Sequence, residues 1–202
     1  MAESSFVRHL AGIPRLFDAL RWTLEGGYAG HHRLIRDHLT NVGRIIDLGC
    51  GTGIYARFFT PETYVGIDIN PEYIAAARVK FPQHPFHVQD ALSSPFSAGE
   101  FDAGMISGVL HHLNDDDADR ALREIARLVR PGGRVVIWED IPARRRWNLI
   151  GHLIHRLDLG AHIRTPAEYQ ALISRHLDIA EAWPMRSGAM DYQVFVGRPR
   201  AR

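Results

Sequence analysis

From about residue 44 onward the sequence alternates short apolar runs with stretches of helical periodicity, and nothing else in it restricts the possible folds so strongly. Alternation of this kind is the pattern of successive βαβ units, in which parallel strands are covered by helices on both faces. The first run, Arg44-Ile45-Ile46-Asp47-Leu48, reads as a strand that stops at Gly49-Cys50-Gly51-Thr52-Gly53, after which Ile54 to Phe59 has helical character. Tyr64 to Asp68 is a second strand. Asn70-Pro71-Glu72 then has the chemistry of a helix start, an Asn cap followed by Pro and an early carboxylate, and predicts a helix to about Phe81.

Third and fourth strands are expected over Phe86–Gln89 and Phe101–Ile106. Between Asn114 and Arg130, Ala118, Ala121, Leu122, Ile125 and Val129 recur on one helical face. Three aspartates open that segment and arginines close it, which suits a helix dipole. Pro131-Gly132-Gly133 ends it, and Arg134–Trp138 supplies a fifth strand. Residues 147–158 form an amphipathic run, and Thr165-Pro166-Ala167-Glu168 has the spacing of a capping box. The strand-like runs Leu177–Trp183 and Tyr192–Val196 are joined by a link too short for a parallel crossover, so they should pair antiparallel. The expected architecture is one α/β domain, a doubly wound and mainly parallel sheet with an antiparallel C-terminal strand pair and helices on both faces. Residues 1–40 form a helical cap segment ahead of it.

Composition narrows the function classes. With 24 basic and 23 acidic residues the net charge is +1, so charge gives no general reason to expect a nucleic-acid partner. Cys50 is the only cysteine, which excludes an internal disulfide framework and favours a reducing, cytoplasmic location. The first twenty residues are interrupted by charges and Pro14, unlike a secretion signal. No stretch approaches the roughly 18 apolar residues that span a bilayer. Metal-ligand spacing is absent, because His111 and His112 are adjacent rather than one helical turn apart.

Ligands of open parallel sheets bind beyond the carboxyl ends of the strands, where strand order reverses. Gly49, Gly51 and Gly53 remove side chains from the first such turn and let backbone approach a ligand closely. Gly51 to Ala56 also matches the G-x-G-x-x-A form of a dinucleotide site, and a nicotinamide-dependent oxidoreductase is the competing enzyme reading. Asp47, just before the turn, disfavours a pyrophosphate and suits a ligand carrying an ammonium and a sulfonium. Asp68 lies 15 residues after Gly53 at a strand end, where a carboxylate accepts hydrogen bonds from ribose hydroxyls; Asp90 ends the third strand, where it can accept from an adenine amine.

The strings IIDLGCGTGIYA, YVGIDINPEYIAAARVKFP, VQDALSSPF, FDAGMISGVLHHL and LVRPGGRVVIWED, in this order, resemble the class I S-adenosylmethionine-dependent methyltransferases, particularly their small-molecule branch. The resemblance covers about residues 42–140 and implies a Rossmann-like methyltransferase domain over residues 41–202. Its cofactor would be S-adenosyl-L-methionine and its product S-adenosyl-L-homocysteine. It implies that Asp47, Gly49 and Gly51 surround the methionine part, that Asp68 holds the ribose, and that Ile69 packs on the adenine. Asp90 and Ala91 would border the adenine, Ser107 and Gly108 would lie beneath the cofactor, and Cys50 would fill the wall of the site.

The expected reaction is transfer of a methyl group to an oxygen, nitrogen or carbon of a small organic, possibly apolar, acceptor. A non-catalytic cofactor-binding subunit is the non-enzyme alternative. His111 and His112, after the fourth strand, are the candidate proton acceptors, with Glu139 and Asp140 as secondary ones. Gly26 to Gly30 can hinge the N-terminal segment over the cofactor, with Tyr28 and His31 or His32 facing inward. The run from Trp147 to Leu157, preceded by Arg144-Arg145-Arg146, lies where the family inserts acceptor-specificity elements; it could cover an apolar acceptor or touch a membrane surface.

Overall fold

A computed structural model describes residues 14–142 and 162–200. Helix α1 (Pro14–Leu24) leads through a single 3-10 turn at Gly26–Tyr28 into α2 (Ala29–His38). Then follow β1 (Ile45–Leu48), β2 (Tyr64–Asp68), α3 (Pro71–Lys80), β3 (Phe86–Val88) and β4 (Phe101–Ser107). The remaining elements are α4 (Asp115–Leu128), β5 (Val129–Asp140), α5 (Pro166–Ile173), β6 (Leu177–Ser187) and β7 (Met190–Pro199).

The strands form one sheet in the order β3-β2-β1-β4-β5-β7-β6. The first five run parallel, and β7 lies antiparallel between β5 and β6. The order reverses between β1 and β4, so a crevice opens beyond their carboxyl ends, where residues 49–53 and Ser107–Gly108 sit. Side-chain alternation sends Ile46, Leu48, Ile106 and Ile137 to one face, where Leu122, Ile125, Tyr169 and Leu172 of α4 and α5 cover them. Ile45, Met105, Val136 and Trp138 point to the other face, under Leu34 and Ile35 of α2 and Ile74 and Ala77 of α3. Burial on both sides explains why the central strands are almost uniformly apolar rather than alternating.

Local chemistry fixes the helix starts. The Asn70 side chain accepts from the backbone N–H groups of Glu72 and Tyr73, Asn114 accepts from that of Asp117, and Thr165 with Glu168 forms a complete capping box.

The structure departs from the sequence expectation in three places. Residues 54–59 contain only a 3-10 turn at Ala56–Phe58 rather than a helix. Tyr55 and Ala56 are buried there, and packing beneath the cap overrides a weak helical pattern. Helix α4 ends at Leu128, because Val129 already pairs with Phe101 and carries Pro131-Gly132-Gly133 into β5 through a register irregularity. The final strands are longer than their apolar cores, since each extends the other's hydrogen-bond ladder. The expected segment over 147–158 lies outside the described residues.

Candidate functional site

The turn after β1 is built from glycines for two separate reasons. Gly49 has φ 77°, and a Cβ on it would lie 2.3 Å from Val109 Cγ2, so the turn and the residues after β4 close on each other only because no side chain intervenes. Gly51 has φ 53° with nothing within 4 Å of its would-be Cβ; open space lies directly against its backbone.

Two carboxylates flank this turn. Asp68, at the end of β2, accepts the Gly51 N–H on one oxygen and the Asn70 N–H on the other, each at 2.8 Å. Burial raises its pKa, and these two bonds oppose the rise. Asp47 is completely buried. The Tyr64 hydroxyl donates to its Oδ2 at 2.7 Å, while its Oδ1 has no hydrogen-bond partner in the structure. Desolvation dominates, partly opposed by the Tyr64 bond and reinforced by the Asp68 charge, and pushes the Asp47 carboxyl up to about 7. Cys50 is buried beside them and burial pushes its thiol up, so it is not a thiolate nucleophile. Ile69 is 70% exposed, an unusual state for a large apolar side chain next to a strand end. Asp90 and Ala91 are half-buried in the loop after β3, where Asp90 accepts the Leu92 N–H at 2.9 Å.

Beyond β4, residues 109–113 make a tight turn. Its N–H groups are gathered by Glu139, whose Oε1 accepts from Val109 and Leu110 at 2.9 Å each and whose Oε2 accepts from His111 at 3.4 Å. His111 is buried, with Nδ1 2.9 Å from Glu139 Oε2 and Nε2 3.7 Å from Asp140 Oδ2. His112 is exposed and lies against the His111 ring, centroids 4.0 Å apart. The two histidines therefore differ in kind. Glu139 and Asp140, the secondary proton-acceptor candidates, are buried at the end of β5.

The N-terminal elements cross the same crevice. Asp18 of α1 accepts from Thr52 Oγ1 at 2.6 Å and pairs with Lys80. Arg21 pairs with Glu25 and reaches the Tyr192 hydroxyl at 3.4 Å. Tyr28, in the left-handed conformation at φ 59°, is buried. Of the two candidate histidines it is His31 that faces inward. Its Nδ1 is 2.7 Å from the Tyr55 hydroxyl and its Nε2 3.3 Å from Glu25 Oε2. Burial, with Arg21 nearby, lowers its pKa and keeps it neutral. His32 is only half-buried, against Phe58, because it lies about 100° around the helix from the face shared by His31, Leu34 and Ile35. The Ser107 hydroxyl, 3.4 Å from that of Tyr55, joins this polar cluster to the end of β4. Trp147 lies outside the described residues.

Residues 46–137 match a family described as Methyltransferase domain. This segment, just under half of the chain, is a methyltransferase domain of the class I S-adenosylmethionine-dependent type. Among curated relatives of this family, the demethylmenaquinone methyltransferase of Thermus thermophilus is 37% identical over 107 residues, covering 49% of this chain and 48% of that protein. The tRNA (carboxymethyluridine(34)-5-O)-methyltransferase alkbh8 of Xenopus tropicalis is 35% identical over 95 residues, 46% of this chain and 15% of that one. The chain thus spans less than half the length of either. The N-methyltransferase NodS of Bradyrhizobium japonicum, solved with S-adenosyl-L-homocysteine, shares the fold at a TM-score of 0.67 and 18% identity over 87% of this chain and 88% of that one.

The family cofactor is S-adenosylmethionine, and the residues present fit it. The glycine-faced opening admits backbone contact, the unmatched Asp47 oxygen is a buried acceptor suited to a cation, and Asp68 retains lone pairs for hydroxyl donors. Arg21, Glu25, Tyr55, Tyr192 and Arg164 are the site-region residues that sequence reasoning missed. Tyr55 lies inside the Gly51–Ala56 string at a position that the pattern leaves open, and the other four sit in no recognisable motif; only the Gly26-Gly27 punctuation after Glu25 offered a local signal.

Proposed function

We propose that this chain transfers a methyl group from S-adenosylmethionine to an oxygen, nitrogen or carbon atom of a small organic acceptor. The observation that carries this reading is the pairing of a buried, half-satisfied Asp47 carboxylate with the side-chain-free turn at Gly49–Gly51 and the Asp68 carboxylate beside it. In this reading Asp47 faces the cofactor's ammonium group and Asp68 accepts from the ribose hydroxyls. Ile69 packs on the adenine, Asp90 and Ala91 border it, and Ser107 and Gly108 form the floor.

When bound, the cofactor supplies a methyl group on a positively charged sulfur, open to in-line attack. The protein's task is to exclude water and hold the acceptor atom about 3 to 3.5 Å from that carbon. Residues 1–40 act as the cap: α1 already spans from Thr52 to Tyr192, with Tyr28 and His31 lining its inner side. His111 is the candidate base for an acceptor that must lose a proton, since Glu139 accepts four N–H groups around it and thereby sets its Nδ1 as the protonated nitrogen. The exposed His112 and, outside the described residues, Trp147 are assigned to the acceptor side.

A small-molecule acceptor is supported by the demethylmenaquinone methyltransferase likeness and by the balanced charge. The likeness to a tRNA methyltransferase keeps a tRNA acceptor as the second reading. Among the described residues no helix is long and apolar enough to cross a membrane. Purified protein incubated with methyl-labelled cofactor and separate panels of phenols and quinols, amines, and tRNA tests the assignment. Label in a small-molecule panel supports it, label in tRNA alone transfers it to the second reading, and no cofactor binding by calorimetry refutes it.

A further inference from the structure

Arg164 lies far from the glycine turn in sequence, yet its guanidinium is spent on the wall of that turn. The side chain is buried, and all of its N–H groups are used. Nη1 donates to the carbonyls of Leu110 at 2.7 Å and His162 at 3.2 Å; Nη2 donates to the Leu113 carbonyl at 2.8 Å and Asp115 at 2.7 Å; Nε donates to Asp115 at 3.0 Å. The His162 N–H in turn donates to the His111 carbonyl at 3.0 Å. Carbonyls of the 109–113 turn are therefore gripped from the Arg164 side while its N–H groups are gripped by Glu139 from the β5 side.

An irregular turn of five residues has few backbone bonds of its own, here His112 to Val109 and Leu113 to Leu110. Without side-chain partners its buried polar groups would seek others, and the turn would move. It has no room to move without consequence, because Val109 Cγ2 occupies the space where a Cβ on Gly49 would stand. Val109 is therefore the contact through which a shift of the turn can reach the backbone of Gly49.

We propose that Arg164 is a positioning residue for cofactor binding, acting through the 109–113 turn and Val109 on Gly49, and selectively for the amino-acid end of the cofactor. The selectivity rests on the reading of Gly49 as surrounding the methionine part and Asp68 as holding the ribose. Asp68 takes its own anchors from Gly51 and Asn70, not from the turn that Arg164 holds. A lysine cannot reproduce the guanidinium fork, since it offers three donors from one point rather than five in a plane.

The test compares two ligands on the full chain, S-adenosylhomocysteine and 5′-methylthioadenosine, which shares the nucleoside but lacks the amino-acid end. Wild type, Arg164→Lys, Arg164→Ala and Asp115→Asn are titrated by calorimetry or by competition, with thermal melting alongside. We expect Arg164→Ala to bind S-adenosylhomocysteine about tenfold or more weakly, with Arg164→Lys intermediate, while 5′-methylthioadenosine affinity stays within about twofold of wild type. Guanidinium at low millimolar concentration should restore part of the loss in Arg164→Ala. The Asp115 side chain is exposed, so Asp115→Asn loosens the same guanidinium in a folded protein and should give a smaller loss of the same selective kind should Arg164→Ala fail to fold. Parallel loss of both ligands, as general loosening would produce, or no loss of either overturns the proposal. Wild type that binds neither ligand overturns the cofactor reading itself, and this proposal with it.

Discussion

If Asp47 meets the cofactor's ammonium, cofactor affinity must depend on pH in a way that can be worked from its burial. The carboxyl titrates at about 7 in the ligand-free protein. Only the ionised form attracts a cation, so affinity follows the ionised fraction as pH falls through that value. That fraction is about three-quarters at pH 7.5 and about 3% at pH 5.5, a ratio of about 25, or roughly 1.9 kcal/mol. Binding at pH 6.0 should also expel about 0.9 proton per site, because roughly that fraction of Asp47 is protonated there and ionises on complex formation. Calorimetric titration in two buffers of different ionisation enthalpy measures this directly. Asp47→Asn keeps the shape and the Tyr64 contact but removes the titrating group, and its affinity should be weak and nearly flat from pH 5.5 to 7.5. Stability without ligand should move the other way. A carboxyl whose folded pKa exceeds its unfolded value costs stability as pH rises from about 4 to 7, so Asp47→Asn should melt higher than wild type at pH 8 and show no advantage at pH 4. Proton release of zero at pH 6.0, or an unchanged pH profile in Asp47→Asn, would refute the assignment of this carboxylate to the cation.

Three further outcomes follow from the geometry. Asp68→Ala removes the proposed ribose acceptor and the anchor of the Gly51 and Asn70 amides, and should weaken cofactor binding by about 1.5 to 3 kcal/mol or more in calorimetry with the fold retained by circular dichroism. Gly49→Ala puts a methyl group 2.3 Å from Val109 Cγ2 at φ 77° and should lower unfolding stability by about 2 to 4 kcal/mol; Val109→Ala in the same chain should recover the steric share and leave the backbone share, as read by denaturant titration. Glu139→Gln preserves shape but weakens the acceptor that fixes His111 Nδ1–H, so nitrogen-resolved NMR of the imidazole should show mixed tautomers where wild type shows one.

Much of this protein is legible along the chain because its signals are local. Strand β2 has the bounds that the apolar run Tyr64–Asp68 predicts, the Asn70-Pro71 and Thr165-Pro166 starts depend on hydrogen bonds within one helical turn, and the short link before the last strand permits only antiparallel pairing. The positions around Gly49 and Asp68 are legible for the same reason, since a strand end and a glycine turn demand particular residues at fixed spacing. What the tertiary structure alone decides arises where elements distant in sequence meet. Sheet order carries β7, and with it Tyr192, between β5 and β6 and towards Arg21 of α1, and helix phase selects His31 over His32. Arg164 is ordinary in its own segment and acquires its role from three carbonyls and a carboxylate contributed by residues about fifty positions earlier and by its neighbour His162. The shifted titration of Asp47 is likewise a property of burial under neighbouring strands and helices, because desolvation depends on what surrounds a group in space and leaves no trace in the residues beside it in the chain.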